Sequence, residues 1–363
     1  MSLAAAALFT GGLLLLLLGA ELLVRGASRL AAALGISPLV IGLTVVAWGT
    51  GSPEFAVGVK AALAGSADLA IGNVVGSNIA NVLLILGFAA LIVPLQVSER
   101  IVRLDVPLMI GASLLTFLLA LDGTLGFLDG AFFALLLGVY TWWTVSASRR
   151  ERGAAIAEYE REFGEGSARR QHGWKHYALQ VMFVSTGLYL LVWGSDLLVV
   201  GASAIAAAFG LSELVIGLTI VALGTSLPEL ATSAVAGWRG ERDIAVGNAV
   251  GSNLFNILAV LGATALVAPD GVPVAAAALR VDMPIMIGVA VACLPVFFAG
   301  YVIDRWNGGV FVALYAGYMA YLVLEGTGHA AAAPFATVMR VFVLPLVTLT
   351  LVLIAVQTWR KSG

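Results

Sequence analysis

Two glutamates stand inside stretches that are otherwise apolar: Glu54 in "SPLVIGLTVVAWGTGSPEFAVGVKAAL" and Glu229 in "VIGLTIVALGTSLPELATSAVAG". Each directly follows a proline. Pro53 cannot donate to the carbonyl of Gly49, nor Pro228 to that of Gly224, so each helix is interrupted beside its carboxylate. Carbonyls freed at such a break become ligand candidates, tolerated only where they line a cavity or an ion site. Thr50, Thr225 and Ser226 add hydroxyls within the same turns. An ionisable residue at membrane depth is costly and marks function by default. A proline kink with its glutamate bonded to a neighbouring helix would account for one such segment. Two segments of the same design point to a site.

The segments that follow supply partners. In "GNVVGSNIAN" (72–81), Asn73, Ser77 and Asn81 are spaced four apart and form one polar stripe on a helix; Asn248, Ser252 and Asn256 repeat it in "GNAVGSNLFN" (247–256). Asn78 and Asn253 lie about 100° off that stripe and are expected to bond backbone or a neighbouring helix. Gly72 with Gly76, and Gly247 with Gly251, are small pairs that let helices approach. Together these parts offer two carboxylates, four asparagines, hydroxyls and carbonyls, with no thiol, imidazole or basic group. An all-oxygen set of charge −2 suits a hard cation, Ca²⁺, with Na⁺ as the competing ion. Zinc or copper would call for His or Cys, and an anionic substrate for a basic residue.

The elements that carry these residues are membrane helices. The chain of 363 residues is 61% hydrophobic and 11% charged, with mean hydropathy +1.02, which excludes an ordinary soluble protein. Apolar runs long enough to span, about 20 residues each, fall at about 3–24, 37–63, 68–93, 103–121, 126–147, 177–200, 212–238, 243–268, 281–300, 306–325 and 336–358. The first is read as a spanning helix and not as a removed signal. The polar segment "SRRERGAAIAEYEREFGEGSARRQHGWKH" separates the fifth run from the sixth. His172 and His176 there have no Cys or further His to complete a metal site. Cys293, the single cysteine, excludes an internal disulfide framework and reads as a buried bystander. Seven basic residues between Arg149 and Lys175 put that loop in the cytoplasm. Alternation then places Arg25, Arg29, Arg100, Arg103, Arg239, Arg242, Arg305, Arg360 and Lys361 on the same side, the N-terminus outside and the C-terminus inside.

Residues 40–87 and 215–262 align without gaps at an offset of 175, with 26 of 48 positions identical. The likeness extends to "GAELLVRGAS" (19–28) with "GSDLLVVGAS" (194–203), and to "RLDVP" (103–107) with "RVDMP" (280–284). The duplicated unit is therefore about five helices. Because five is odd, the second copy enters the membrane from the opposite side, an inverted-topology repeat typical of secondary transporters. The expected organisation is an all-α integral membrane protein: a first repeat over 1–147, a cytoplasmic loop over 148–176, a second repeat over 177–325, and an additional helix and tail over 335–363. The repeats form a ten-helix core, and the eleventh helix has no counterpart.

At "GTGSPE" with "GNVVGSN", and "GTSLPE" with "GNAVGSN", the chain resembles the cation/calcium exchanger superfamily, and within it the prokaryotic sodium/calcium exchangers. The resemblance covers both five-helix halves. It implies Glu54 and Glu229 as central Ca²⁺ ligands, and alternating access with Na⁺ and Ca²⁺ competing for overlapping sites. Carried over by position, the ligand candidates are Thr50, Glu54, Ser77, Asn81, Thr225, Ser226, Glu229, Ser252 and Asn256. Thr50 and Thr225 would act partly through their carbonyls, with carbonyls of Ala47 and Ala222 one turn earlier. Two departures stand out. Position 51 is Gly where the pattern, and Ser226 in the second copy, has a hydroxyl. Ser52 replaces it only if the backbone is unwound there. Position 256 is Asn where some potassium-dependent relatives have Asp, which disfavours K⁺ cotransport.

The expected function is Ca²⁺/Na⁺ antiport in the cell inner (plasma) membrane. The expected partners are small inorganic cations and the lipid bilayer, with no cofactor, nucleic acid or partner protein, and the expected form is a monomer. A proton/calcium antiporter of the same fold is the alternative, since carboxylates carry protons and Gly51 weakens the sodium case. A cation channel fits the inverted repeat less well. An enzyme would need a nucleophile with its base, or a His/Cys metal set, at membrane depth.

Overall fold

Long uncharged runs of Leu, Ala, Val and Gly leave the backbone to satisfy its own hydrogen bonds, and helices are how the chain does so. The computed structural model describes residues 3–34, 36–163, 174–209, 216, 219–220, 222–339 and 341. In chain order the helices are α1 (Leu3–Leu34), α2 (Pro38–Thr50), α3 (Ser52–Leu63), α4 (Ala67–Ile92), α5 (Ile101–Asp122) and α6 (Phe127–Phe163). The second half has α7 (Trp174–Ala208), α8 (Ala222–Gly224), α9 (Leu227–Trp238), α10 (Arg242–Val267), α11 (Ala278–Phe298), α12 (Arg305–Gly326) and α13 (Ala332–Val338). Among the described residues, eight helices are long and apolar enough to cross a membrane, or nine if α2 and α3, bent by 48° at their junction, count as one span. The protein is thus an all-α, multi-pass membrane protein. Most of the expected eleventh helix, and most of 212–221, lie outside the described residues.

Three helices outrun the lengths expected from hydropathy, and one of them, α6, continues past 147 to Phe163, so the first part of the segment expected as a loop over 148–176 is helical. Helix α1 continues past residue 24 to Leu34, and α7 past 200 to Ala208. Arg25 does not end α1, because it pairs with Glu21 one turn back. Helices α1 and α7 lie side by side and antiparallel, since Gly12, Gly19 and Gly26 meet Leu198, Leu191 and Val184 in turn. The contact is a glycine seam absent from the expectations above: Gly12, Gly19 and Gly26 on α1, and Gly187, Gly194 and Gly201 at the equivalent positions on α7. A Cβ on Gly19 would lie 2.8 Å from both the Gly187 carbonyl oxygen and the Leu191 nitrogen, so the backbones touch directly.

The core is formed by α4 and α10: 72% and 83% of their most apolar stretches are buried within the protein, against 28% for α1. Leu13, Leu14, Leu17 and Leu18 of α1 are exposed, as on a surface that lipid covers. Both α4 and α10 loosen to π-helical geometry over Asn81–Leu86 and Asn256–Leu261, each starting at a residue of the polar stripe. Such bulges recur at functional sites. Gly65 (φ +70°) and Gly240 (φ +82°), equivalent in the two copies, make the left-handed turns that lead from α3 to α4 and from α9 to α10. Two short ladders cross-brace the halves: β1 (Leu95–Gln96) pairs with β4 (Val302–Ile303), and β2 (Thr124–Leu125) with β3 (Val272–Pro273).

The "RLDVP"/"RVDMP" echo also has a structural meaning. The Tyr140 hydroxyl donates to Asp105 at 3.1 Å, and that of Tyr318 to Asp282 at 3.1 Å. These equivalent bonds tie α5 to α6 and α11 to α12. Asp105 and Asp282 are acidic residues within spanning helices that hydropathy and the broken-helix pattern do not single out, and their partners give them a tethering role.

Candidate functional site

The helix break expected from proline is present in both copies. Helix α2 stops at Thr50, Gly51 takes φ −74° and ψ 4°, and α3 restarts with Pro53 in its first turn. In the second copy Ser226 has φ −89° and ψ 3°, and α9 restarts with Pro228. Proline fits a first turn because it needs no donor there. Each glutamate therefore sits at the start of the second half-helix, inside the protein and 1% exposed.

The two copies meet at these breaks. The Ser226 hydroxyl lies 3.1 Å from Glu54 Oε1 and 3.2 Å from Ser77 Oγ. Thr225 is beside Glu54, and Thr50 beside Glu229, so each threonine faces the carboxylate of the other repeat. The two carboxylates are close enough to feel each other's charge. Thr50 Oγ1 donates to Asn248 Oδ1 at 3.2 Å.

The asparagines divide into two jobs. Asn73 Nδ2 donates to the Glu54 backbone carbonyl at 3.0 Å, and Asn248 Nδ2 to that of Glu229 at 3.3 Å. These two hold the glutamate backbones, a division that the polar stripe alone did not reveal. Asn81 Nδ2 donates to Asn253 Oδ1 at 3.0 Å, and Asn256 Nδ2 to Asn78 Oδ1 at 3.1 Å. Asn78 and Asn253 thus bond a neighbouring helix, as their angular offset suggested. Their amides also reach methionine sulfurs: Asn253 contacts Met109 at 3.2 Å and Asn78 contacts Met286 at 3.6 Å.

At the breaks and along the facing polar stripes, six buried oxygens have no hydrogen-bond partner among the described residues: Glu54 Oε2, Glu229 Oε2, Asn81 Oδ1, Asn256 Oδ1, Ser252 Oγ and Thr225 Oγ1; others, Thr232 Oγ1 of α9 and Asp105 Oδ2 of α5 among them, lie elsewhere. Buried polar atoms in folded proteins are nearly always bonded, so six orphans at the breaks and along the facing stripes call for a ligand. All six are oxygens, two belong to carboxylates, and the donor set is one a hard cation takes. Among the described residues, no group of three or more His, Cys, Asp or Glu side chains is placed to hold a metal. The charge of the site thus rests on two glutamates.

The backbone carbonyls differ from expectation. Gly224 O, freed by Pro228, is taken by the Ser195 hydroxyl of α7. Ala47 O accepts the Gly51 N–H at 3.0 Å, whereas in the second copy the Ser226 N–H turns to Leu223 O at 3.1 Å and not to Ala222. Ser52 does not stand in for a hydroxyl at position 51: it is exposed and donates to Trp48 O at 3.1 Å. Cys293 is buried on α11, and His172 lies outside the described residues.

Comparison with known proteins identifies the family of the chain. A family model described as "Sodium/calcium exchanger protein" matches residues 4–146 and 179–324. The inner membrane protein YrbG of Escherichia coli is 38% identical over 292 residues, covering 80% of this chain and 88% of that protein. The sodium/calcium exchanger MaX1 of Methanosarcina acetivorans is 32% identical over 338 residues, covering 86% and 96%. A solved structure of the sodium-calcium exchanger NCX_Mj, soaked with zero Na⁺ and Ca²⁺, superposes with a TM-score of 0.75 at 30% identity, covering 89% of this chain and 100% of that one.

Proposed function

The chain belongs to the sodium/calcium exchanger family, and from that premise we propose that it exchanges Ca²⁺ for Na⁺ by alternating access at the Glu54–Glu229 site. The observation that carries this reading is the set of six unpartnered buried oxygens. One dehydrated Ca²⁺, or Na⁺ ions in its place, neutralises two carboxylates that have no basic counter-ion among the described residues. Glu54, Glu229, Thr50 and Thr225 hold Ca²⁺. Ser77, Ser226, Ser252, Asn81 and Asn256, with the Ala47 and Ala222 carbonyls, complete the coordination of the exchanged ions. An empty, doubly charged site is costly to carry through hydrocarbon, so the loaded forms cross and the empty one does not. That difference turns a pathway into an exchanger.

Helices α1 and α7 move as the gating pair, joined by their glycine seam. The repeats over 1–147 and 177–325 alternate access around the fixed site, with the 148–176 loop and the C-terminus in the cytoplasm and the N-terminus outside. The inner-membrane naming of the E. coli relative favours the same location here. The protein works as a monomer, without a cofactor, and its cargo is inorganic cations. Purified protein in liposomes should take up Ca²⁺ against an imposed Na⁺ gradient, and uptake should vanish in the Glu54→Gln/Glu229→Gln double variant. Uptake that ignores the Na⁺ gradient and follows ΔpH would replace this reading by proton/calcium antiport, the alternative that Gly51 favours.

A further inference from the structure

The two halves of the site are not equivalent, and a cluster of aromatic rings marks the difference. In the second copy the Ser226 hydroxyl joins Glu54 to Ser77. The mirror arrangement would have a hydroxyl at position 51 joining Glu229 to Ser252. Position 51 is Gly, and Ser252 Oγ and Glu229 Oε2 are both left unpartnered. The space is not left open. A Cβ built on Gly51 would lie 2.9 Å from Cδ1 and 3.1 Å from Cε1 of Phe255. Phe255 stacks obliquely on Trp48, with centroids 5.7 Å apart, and on Phe55 at 6.4 Å. The positions equivalent to Trp48, Phe55 and Phe255 in the other copy are Leu223, Leu230 and Ala80. One half thus pairs a hydroxyl with aliphatic neighbours, Ala80 standing where the other copy has Phe255, and the other pairs a missing hydroxyl with a ring that fills its place.

We propose that Phe255 closes the Gly51 half of the site to a separate Na⁺, so that Na⁺ binds only in the Ser226 half while Ca²⁺ uses both glutamates. This rests on the reading of Na⁺ as the ion that competes with Ca²⁺. A small cation held beside one carboxylate needs neutral oxygens to replace its water, and a ring edge offers none. Phe255 is therefore a specificity-determining residue that sets how many Na⁺ replace one Ca²⁺, without itself touching the ion. The aromatic trio holds the ring in place, since each ring restricts the next.

The test is displacement of radiolabelled Ca²⁺ from the purified full-length protein by Na⁺ at equilibrium. Gly51→Ser alone, whose Cβ meets the ring, should keep the wild-type steepness. Gly51→Ser/Phe255→Ala supplies the hydroxyl and the room, and its displacement curve should steepen by one further Na⁺. Gly51→Ala/Phe255→Ala supplies room without the hydroxyl and should match wild type. The mirror variant Ser226→Gly/Ala80→Phe copies the plug into the other half and should lose steepness, which keeps the idea testable if the first pair folds poorly. A double variant with wild-type steepness, or Gly51→Ser alone matching the double, overturns the proposal. If Na⁺ fails to displace Ca²⁺ from the wild type, the sodium reading fails. In that case, displacement gained by Gly51→Ser/Phe255→Ala still upholds the role of Phe255, and no gain overturns it.

Discussion

The Asn81 amide donates to the side-chain oxygen of Asn253 at 3.0 Å, leaving the carbonyl oxygen of Asn81 without a partner inside the protein. Asn256 is held in the same way by Asn78, at 3.1 Å, and its oxygen is likewise unpartnered. Each ligand candidate is thus aimed by an asparagine of the opposite repeat. Asn253→Leu removes the acceptor and lets the Asn81 side chain turn. Outer partners of metal ligands are typically worth about 10–100-fold in affinity, and the half-saturating Ca²⁺ concentration for uptake should rise within that range. Asn253→Asp keeps an acceptor oxygen and should lose less. Equal losses in the two variants would show that Asn253 acts through packing alone.

Glu54 and Glu229 carry the charge of the site, and among the described residues no basic side chain pairs with either. Ca²⁺ should therefore stabilise the folded protein strongly. At a hundred times its dissociation constant, a ligand that binds only the folded state adds about 2.7 kcal/mol, and the unfolding temperature should rise by several degrees. Glu54→Gln and Glu229→Gln should each abolish that rise and the transport with it. The Ca²⁺-free protein should unfold no earlier in either variant, because a buried unpaired carboxylate is itself a cost. A Ca²⁺-induced rise retained in both single variants would remove the glutamates from the site.

Much of this arrangement was legible in the sequence, because duplication writes the same answer twice. The pairs Pro53–Glu54 and Pro228–Glu229 located both breaks, and the four-residue spacing of Asn73, Ser77 and Asn81 gave the facing stripe. A stripe fixes a face and not a partner, so the spacing did not tell Asn73, bonded to the Glu54 carbonyl, from Asn81, which is turned to the site; only the family resemblance separated them. Contacts between distant segments were out of reach. Ser195 on Gly224 O and the Phe255 ring over Gly51 arise only once four helices meet. Other signals were present but unread. Gly12, Gly19 and Gly26 recur every seven residues, with copies at Gly187, Gly194 and Gly201. Hydropathy is blind to that pattern because glycine scores near neutral.

The glycine seam leads to a paired substitution. A Cβ at Gly19 would sit 2.8 Å from the Gly187 carbonyl, whereas one at Gly11 meets nothing within 4 Å. Gly19→Ala should therefore push α1 from α7, at about 1–3 kcal/mol for an overpacked contact, while Gly11→Ala should be silent. If the two helices move as a unit, Gly19→Ala should lower the maximal exchange rate and leave the half-saturating Ca²⁺ concentration near wild type. Thermal unfolding and flux measured on both variants check this. Identical behaviour of Gly11→Ala and Gly19→Ala would deny the seam any role.

The seam is nearly symmetric, but the ties at its ends are not. Glu21 of α1 pairs with Arg239, and the Ser28 hydroxyl donates to Glu241 at 2.7 Å, so α1 is pinned to the turn between α9 and α10. The equivalent turn between α3 and α4 has Ala64 and Ser66 where Arg239 and Glu241 stand, and an alanine cannot form the ion pair. Two conformations related by exchange of the repeats therefore differ in energy by these ties. The Arg239–Glu21 pair is partly exposed, which discounts it to about 0.2–1 kcal/mol. A difference of that size shifts a two-state population by up to about five-fold. Arg239→Ala should raise the labelling rate of a single cysteine at the site, in a Cys293→Ser background, by a membrane-impermeant reagent applied from the Arg239 side. Labelling from the opposite side should slow, and Arg239→Lys should restore most of the original balance. Unchanged rates from both sides would mean that the pinned α1 does not bias which side of the site is open.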